Sequence, residues 1–318
     1  MKETGKRLVK ASVVVATYNH EKYIAKTLES IVMQECTFDY EVLVGDDASK
    51  DKTGAIVNEY AQKYPDKIRA FLRKKNLGAF RNIHNLVKSA KGEYIAFVEG
   101  DDYWLDDRKL QKQIDFLENN PDFAACFGRC IVVDENDERQ KDFEKYMPFF
   151  SKEEYTSQDL EDYYLPGQTA TAVYRTESLH NLEKLAKKDK RVIPRCPMVD
   201  IFLVLAILSQ GRIKTMDEVL SAYRYVLRKG SGSWSSKHDG FSLINVIFFL
   251  YGMKELERVG KLLGINICYD ERRKSEFAKV AMYKGQMPII AIQIIRFFIW
   301  LWYQNKKDFY RFIRDRHR

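Results

Sequence analysis

Between Ser12 and Leu117 the chain alternates two kinds of apolar pattern. Ser12–Ala16 is a short β-branched run, apolar on successive residues; Glu41–Gly45 is a second such run, and Ile68–Leu72 and Tyr94–Val98 read as the third and fourth strands. Strands covered on both faces read this way. Between and after them, apolar residues recur at helical spacing: Ile24, Leu28, Ile31 and Val32; Ile56, Val57, Tyr60 and Ala61; Phe80, Ile83 and Val87; Leu110, Ile114 and Leu117. Pro65 ends the second of these helices, and Gly92 suits a C-terminal cap for the third. Strand–helix alternation with short connections predicts right-handed crossovers and a doubly wound α/β sheet. Ligands of such sheets bind outside the carboxyl ends of the strands, so the strand ends are where chemistry is to be sought.

Beyond about residue 236 the pattern turns helical, at Leu243–Tyr251 and Ile289–Tyr303. The second stretch is apolar nearly all round but only about 22 Å long at 1.5 Å per residue, short of a hydrocarbon core of about 30 Å. Trp300, Trp302 and Tyr303 precede a basic tail of Lys306, Lys307, Arg311, Arg314, Arg316 and Arg318. Two readings stay open: peripheral membrane contact through 287–318, or a buried or homodimer-forming helix.

Composition narrows the classes. With 45% hydrophobic and 31% charged residues, the 318-residue chain should fold. The net charge of +8 asks for an anionic partner. No basic, aromatic-studded surface of a nucleic-acid binder is legible, so nucleotide phosphates or an acidic membrane fit better. Five cysteines without a Cys-x-x-Cys pair read as free thiols rather than a zinc site. No apolar leader core follows Met1, so a cytoplasmic location is expected, peripheral on the inner membrane face if the tail binds lipid.

Three strand ends carry polar clusters: Thr17-Tyr18-Asn19-His20, Asp46-Asp47-Ala48-Ser49 with Asp51 and Thr53, and Glu99-Gly100-Asp101-Asp102. Each alone has a plainer reading as a turn or helix cap. Together they set four aspartates at one end of a sheet. A divalent cation and the hydroxyls and base of a nucleotide would offset their repulsion.

From Ser12 to about Pro121 the sequence resembles the inverting family 2 glycosyltransferases of the GT-A fold. The resemblance is carried by Thr17-Tyr18-Asn19, Asp46-Asp47-Ala48-Ser49, Asn76-Leu77-Gly78, Ala90-Lys91-Gly92-Glu93-Tyr94-Ile95 and Gly100-Asp101-Asp102-Tyr103-Trp104. It implies a GT-A domain over residues 1–235, with a mixed, mainly parallel sheet, and a helical region over 236–318. The implied activity is non-processive transfer, with inversion, from a nucleotide-diphosphate sugar such as a UDP-sugar to a saccharide or lipid-linked acceptor in surface glycan synthesis. Thr17, Tyr18, Asn19, Asp47 and Gly78 would then line the nucleotide, with Asp46 supporting its loop. Asp101 would lie near the ribose or donor sugar, and Asp102 would hold Mn2+ or Mg2+.

On the acceptor side the resemblance makes Asp200 the catalytic base, at the start of an apolar helix where it also suits a cap. Gln168 would border the acceptor, and Gly211–Ile213 and Val219–Arg224 resemble the closing strands. Relatives often carry a histidine where Val226 stands here, leaving Arg228 and Lys229 as lid residues to grip the diphosphate; His238 is a remoter substitute. Two rivals remain. A sugar nucleotidyltransferase would want a Gly-rich basic loop after the first strand, which Thr17–His20 is not. A non-catalytic nucleotide-binding scaffold on the same fold is made conceivable by Val199 and Val226.

Overall fold

The computed structural model describes residues 8–144, 153–162, 164–192, 199–226 and 243–275. Arg228, Lys229, His238 and the apolar stretch Ile289–Tyr303 with its basic tail lie outside them. In the first half, β1 (Val9–Thr17), α1 (Ile24–Val32), β2 (Asp39–Asp46), α2 (Thr53–Lys63), β3 (Ile68–Leu72), α3 (Ala79–Val87) and β4 (Tyr94–Glu99) follow one another. Then come β5 (Tyr103–Trp104), α4 (Lys109–Asn119), β6 (Phe123–Val133), α5 (Lys141–Glu144), β7 (Glu154–Tyr155) and α6 (Ser157–Glu161). A 3₁₀ turn (Thr169–Thr171) leads into β8 (Val173–Arg175), α7 (Thr176–Lys188), α8 (Val199–Leu208), β9 (Arg212–Arg224) and α9 (Leu243–Leu263).

The strands form one mixed sheet in the order β3-β2-β1-β4-β8-β6-β9-β5, with β7 also on β9. The β1–β2, β1–β4, β2–β3 and β6–β9 pairs are parallel; β8 runs antiparallel to both β4 and β6. Period-two alternation divides each central strand between two cores. Val13, Val15, Val42, Val44, Ala96 and Val98 face α1, α2 and α4, while Val14, Leu43, Ile95 and Phe97 face α3, α8 and α9. Helix α1 meets the sheet through Ile24, Thr27, Leu28 and Ile31, the expected i, i+3, i+4, i+7 stripe.

Two readings of the sequence change. Helix α3 ends at Val87 with Lys88 as its cap, so Gly92 does not cap it. A Cβ on Gly92 would come within 2.5 Å of the Ala11–Ser12 backbone, and glycine is there so that the chain can enter β4 beside β1. The two short closing strands are a single one, β9, spanning Arg212–Arg224. At the C-terminal end, Met253, Leu256 and Val259 of α9 join the same core as Leu205 and Ile207 of α8. Among the described residues no helix is long and apolar enough to cross a membrane.

Candidate active site

Because β2, β1 and β4 run parallel and side by side, their carboxyl ends finish on one rim. Asp46 stands opposite Thr17, and Ala16 opposite Glu99. With strands spaced about 4.8 Å apart, Asp46 and Glu99 flank β1 at about 10 Å from each other. Backbone bonds extend the pairing past the strands: Asp47 N–H donates to Thr17 O at 3.0 Å and Gly100 N–H to Ala16 O at 2.9 Å. A Cβ on Gly100 would lie 2.4 Å from Thr17 Oγ1, so glycine lets the acidic turn close onto β1.

The first two loops are stitched together. Asn19, in the left-handed region at φ 58°, accepts from Lys50 N at 2.8 Å and donates its own N–H to Ser49 Oγ at 2.9 Å. His20 N–H donates to Thr53 Oγ1 at 2.8 Å, and Glu21 N–H to Asp51 at 3.1 Å. Tyr18 is half-buried in this joint. Asp46 turns back on its own loop, accepting from Ser49 N–H at 3.3 Å and from the Ser49 hydroxyl. Burial raises its carboxyl pKa against those bonds. Asp47 uses its two oxygens on Leu77 N–H (2.7 Å) and Gly78 N–H (2.8 Å). That clamp holds the 76–78 turn, where Gly78 takes φ 83°.

The adjacent aspartates of the β4–β5 turn separate. Asp102 is 1% exposed. Its Oδ2 accepts from Gln168 Nε2 at 2.7 Å and its Oδ1 from Arg224 N–H at 2.8 Å. Burial, Asp101 and Glu99 push its pKa well up, against those two bonds. Asp101 turns towards the rim, its carboxylate 3.8 Å from His20 Nε2, whose other ring nitrogen lies 3.3 Å from Thr17 Oγ1. Glu99, at the tip of β4, is open to solvent, yet the surrounding protein withdraws enough water that burial, Asp101 and then Asp200 push its pKa to about 8. Asp200 sits inside the first turn of α8, rather than ahead of it as a cap would. It too keeps contact with solvent while desolvation raises its pKa. Its charge reaches Glu99 and Tyr174 and raises the pKa of both.

The geometry thus gathers Thr17, Tyr18, Asn19, Asp46, Asp47, Gly78, Asp101 and Asp102 around one rim, with Asp200 electrostatically linked to it through Glu99. A model of the family described as glycosyl transferase family 2 matches residues 12–191, a span that runs from within β1 past β8 and takes in every one of those residues except Asp200. The chain belongs to glycosyl transferase family 2.

Several known proteins are similar to the chain in sequence or in fold. A glycosyltransferase of Methanocaldococcus jannaschii is 32% identical over 224 residues, 70% of this chain and 72% of its own. An uncharacterized protein of Mycobacterium tuberculosis is 33% identical over 229 residues; the match spans 71% of this chain and 61% of that one. Among solved structures, S. aureus TarS in complex with UDP-GlcNAc shares the fold with a TM-score of 0.60 at 20% identity, over 88% of this chain and 77% of that one. A mannosyltransferase of Pyrobaculum calidifontis in complex with GDP-Man and Mn2+ does so at 0.52 and 18%, over 92% and 80%.

Within this family 2 protein several of the expected site residues have partners in the protein itself. Gln168, expected at the acceptor, commits its amide to Asp102 and to Ala170 N–H at 2.6 Å; it orients the acidic turn. Asp102, expected on the metal, has both oxygens engaged by protein donors. Val226, where relatives often have histidine, is 2% exposed. Two residues were missed. Arg73 follows β3, donates its N–H to Asp46 O at 2.9 Å and keeps a buried Nη2 without an acceptor. The strand-end rule applied to β3 finds it. Arg224 ends β9 with a fully buried guanidinium. Only its position at a strand end hints at that, because its partners are 87 to 123 residues distant in sequence.

Proposed function

We propose that this glycosyltransferase moves a sugar from a nucleotide diphosphate, a UDP-sugar in the first instance, to a hydroxyl of a saccharide or lipid-linked acceptor with inversion and without processivity. The observation that carries this reading is the convergence of the nucleotide-side loops, the Asp101–Asp102 turn and Asp200 on one rim. The turn is also crowded with acid: the Asp101 carboxylate raises the pKa of both Glu99 and Asp102, and Glu99 raises that of Asp102 further. A divalent ion, Mn2+ or Mg2+, fits that donor set. Asp101, whose carboxylate opens on the rim, would hold it in place of Asp102, which fixes the turn from behind. When bound, such an ion neutralises charge on the departing diphosphate.

Among the described residues the one set of ligand-type side chains drawn within 4.8 Å of one another is Glu257, Cys268 and Asp270. Arg273 already bonds both of its carboxylates. The rim carboxylates stand further apart, which suits an ion taking its remaining ligands from substrate phosphate and water.

Asp200 removes the proton from the attacking hydroxyl. Its raised pKa makes it a stronger base than an ordinary aspartate, and general bases contribute about 10² to 10⁴-fold in rate. Its charge acts on Glu99, at the tip of β4, which supports a place for it beside the donor. The test is nucleotide-diphosphate release from a panel of sugar nucleotides with Mn2+ and saccharide or lipid-linked acceptors. Asp200→Asn should bind UDP as tightly as wild type and lose turnover by about 10²-fold or more. Undiminished turnover in that variant, or no nucleotide binding by wild type, would overturn the proposal.

A further inference from the structure

Arg224 is a buried cation whose side chain makes three bonds to two separate segments, the β4–β5 turn and the β6–α5 connection. Nε donates to Asp101 O at 2.9 Å, Nη1 to Asp134 O at 2.5 Å and Nη2 to Asp137 Oδ1 at 2.5 Å. The guanidinium lies 4.3 Å from the centre of the Tyr23 ring. Its own backbone N–H holds Asp102 Oδ1. A planar fork with five N–H donors can serve three divergent acceptors; an ammonium on a flexible stem cannot hold the same geometry.

Its charge is balanced from the far side. Asp137 lies in the β6–α5 connection at φ 69° and pairs through its other oxygen with Lys26 at 2.9 Å, while Lys26 stands 3.8 Å over the Tyr103 ring. Against the effect of burial, bonds to Lys26 and Arg224 hold the Asp137 carboxyl below its ordinary pKa. The Asp101 peptide is therefore fixed on one side by strand-end bonds and on the other by a guanidinium anchored to a separate loop.

We propose that Arg224 is a positioning residue: its side chain, braced by Asp137 and Lys26, fixes the Asp101 peptide so that the Asp101 carboxylate faces the rim in the orientation that receives a metal–nucleotide donor. This rests on the reading of Asp101 as the donor-side carboxylate. Residues that orient a metal-holding group are worth about 10 to 100-fold in metal affinity or activity.

Two measurements on the full chain test it. The first needs no ligand: hydrogen exchange at the Asp102 amide, which bonds Glu99 O at 3.0 Å. In Arg224→Lys its protection should fall about tenfold or more, while the Val42 amide in β2 keeps its protection as a gauge of global unfolding. The second is UDP binding by calorimetry with and without Mn2+. Arg224→Lys should lose about tenfold in affinity with Mn2+ and little without it. Asp137→Asn, which tolerates the left-handed backbone and leaves Arg224 in place, should show a smaller loss of the same kind and keeps the test open if Arg224→Lys fails to fold. Equal losses with and without Mn2+, or unchanged exchange at Asp102, would overturn the inference. Absence of Mn2+-linked UDP binding in wild type would instead sink the donor reading, leaving the exchange result to decide whether Arg224 fixes the turn.

Discussion

At the scale of single residues, Asp101 and Asp102 are chemically identical neighbours, and sequence carries no mark of which one faces the rim. The turn after β4 decides it by sending successive side chains opposite ways. Asp102 accepts from two protein donors, and replacing it with Asn sets an amide N–H₂ against a donor. Asp102→Asn should therefore cost about 1–3 kcal/mol in stability. Asp101→Asn, at the half-buried rim, should stay within about 0.5 kcal/mol of wild type yet lose turnover by about 10²-fold or more. Thermal unfolding beside nucleotide-diphosphate release separates the two; equal loss of stability would show that both aspartates serve the fold. Gln168 was illegible for the same kind of reason. Its partner Asp102 is 66 residues away, so nothing local in the sequence marks the bond it makes to the acidic turn.

At the scale of elements, strands buried on both faces declare themselves as apolar runs, which is why β1, β2 and β4 were legible to within a few residues; the edge strand β3, only partly buried, was legible from its place between two helices. Strand β6 was not. Its pairing with β9 shifts register after Phe123, Phe127 and Arg129, and such irregularities break the period-two pattern that periodicity reads. The loops after β1 and β2 were legible as polar clusters but not as one joint, because their bonds run from loop to loop. Asn19 is the hinge of that joint. Asn19→Ala forfeits the bond to Lys50 N–H and puts an alanine at φ 58°, together costing about 1–3 kcal/mol. Asn19→Gly keeps the backbone comfortable and loses only the bond. Urea unfolding should rank wild type above the glycine variant and that above the alanine variant; alanine equal to glycine would remove backbone conformation from the account.

At the scale of the whole molecule, parallel topology brings residues from three strand ends onto one rim, and that much follows from counting strands and helices along the chain. A buried polar network behind the acidic turn was hidden in an amphipathic helix. Lys109 of α4 is fully buried, donating to Gln113 Oε1 at 2.7 Å, and Gln113 Nε2 donates to Cys126 O at 2.9 Å and Thr171 O at 2.8 Å. The Trp104 indole N–H donates to Ala170 O, in the 3₁₀ turn that Gln168 caps. Burial lowers the Lys109 pKa to about 7, against the pull of Cys126 and Asp106. The Trp104 face 4.5 Å from Nζ also favours the charged form.

An unfolded lysine keeps its proton up to 10.5. Between about 7 and 10.5 the unfolded chain therefore binds more protons at this site than the folded one, and stability rises with pH by up to about 1.4 kcal/mol per unit. Below pH 7 the penalty is fully present. Lys109→Met leaves Gln113 without its donor, a loss of about 1 kcal/mol that does not depend on pH, but it removes the titration. Measured by urea unfolding, the stability of Lys109→Met relative to wild type should fall by about 2 kcal/mol between pH 6 and pH 9. A difference that stays constant over that range would mean that Lys109 keeps its proton in the fold, with Trp104 and Gln113 outweighing the desolvation.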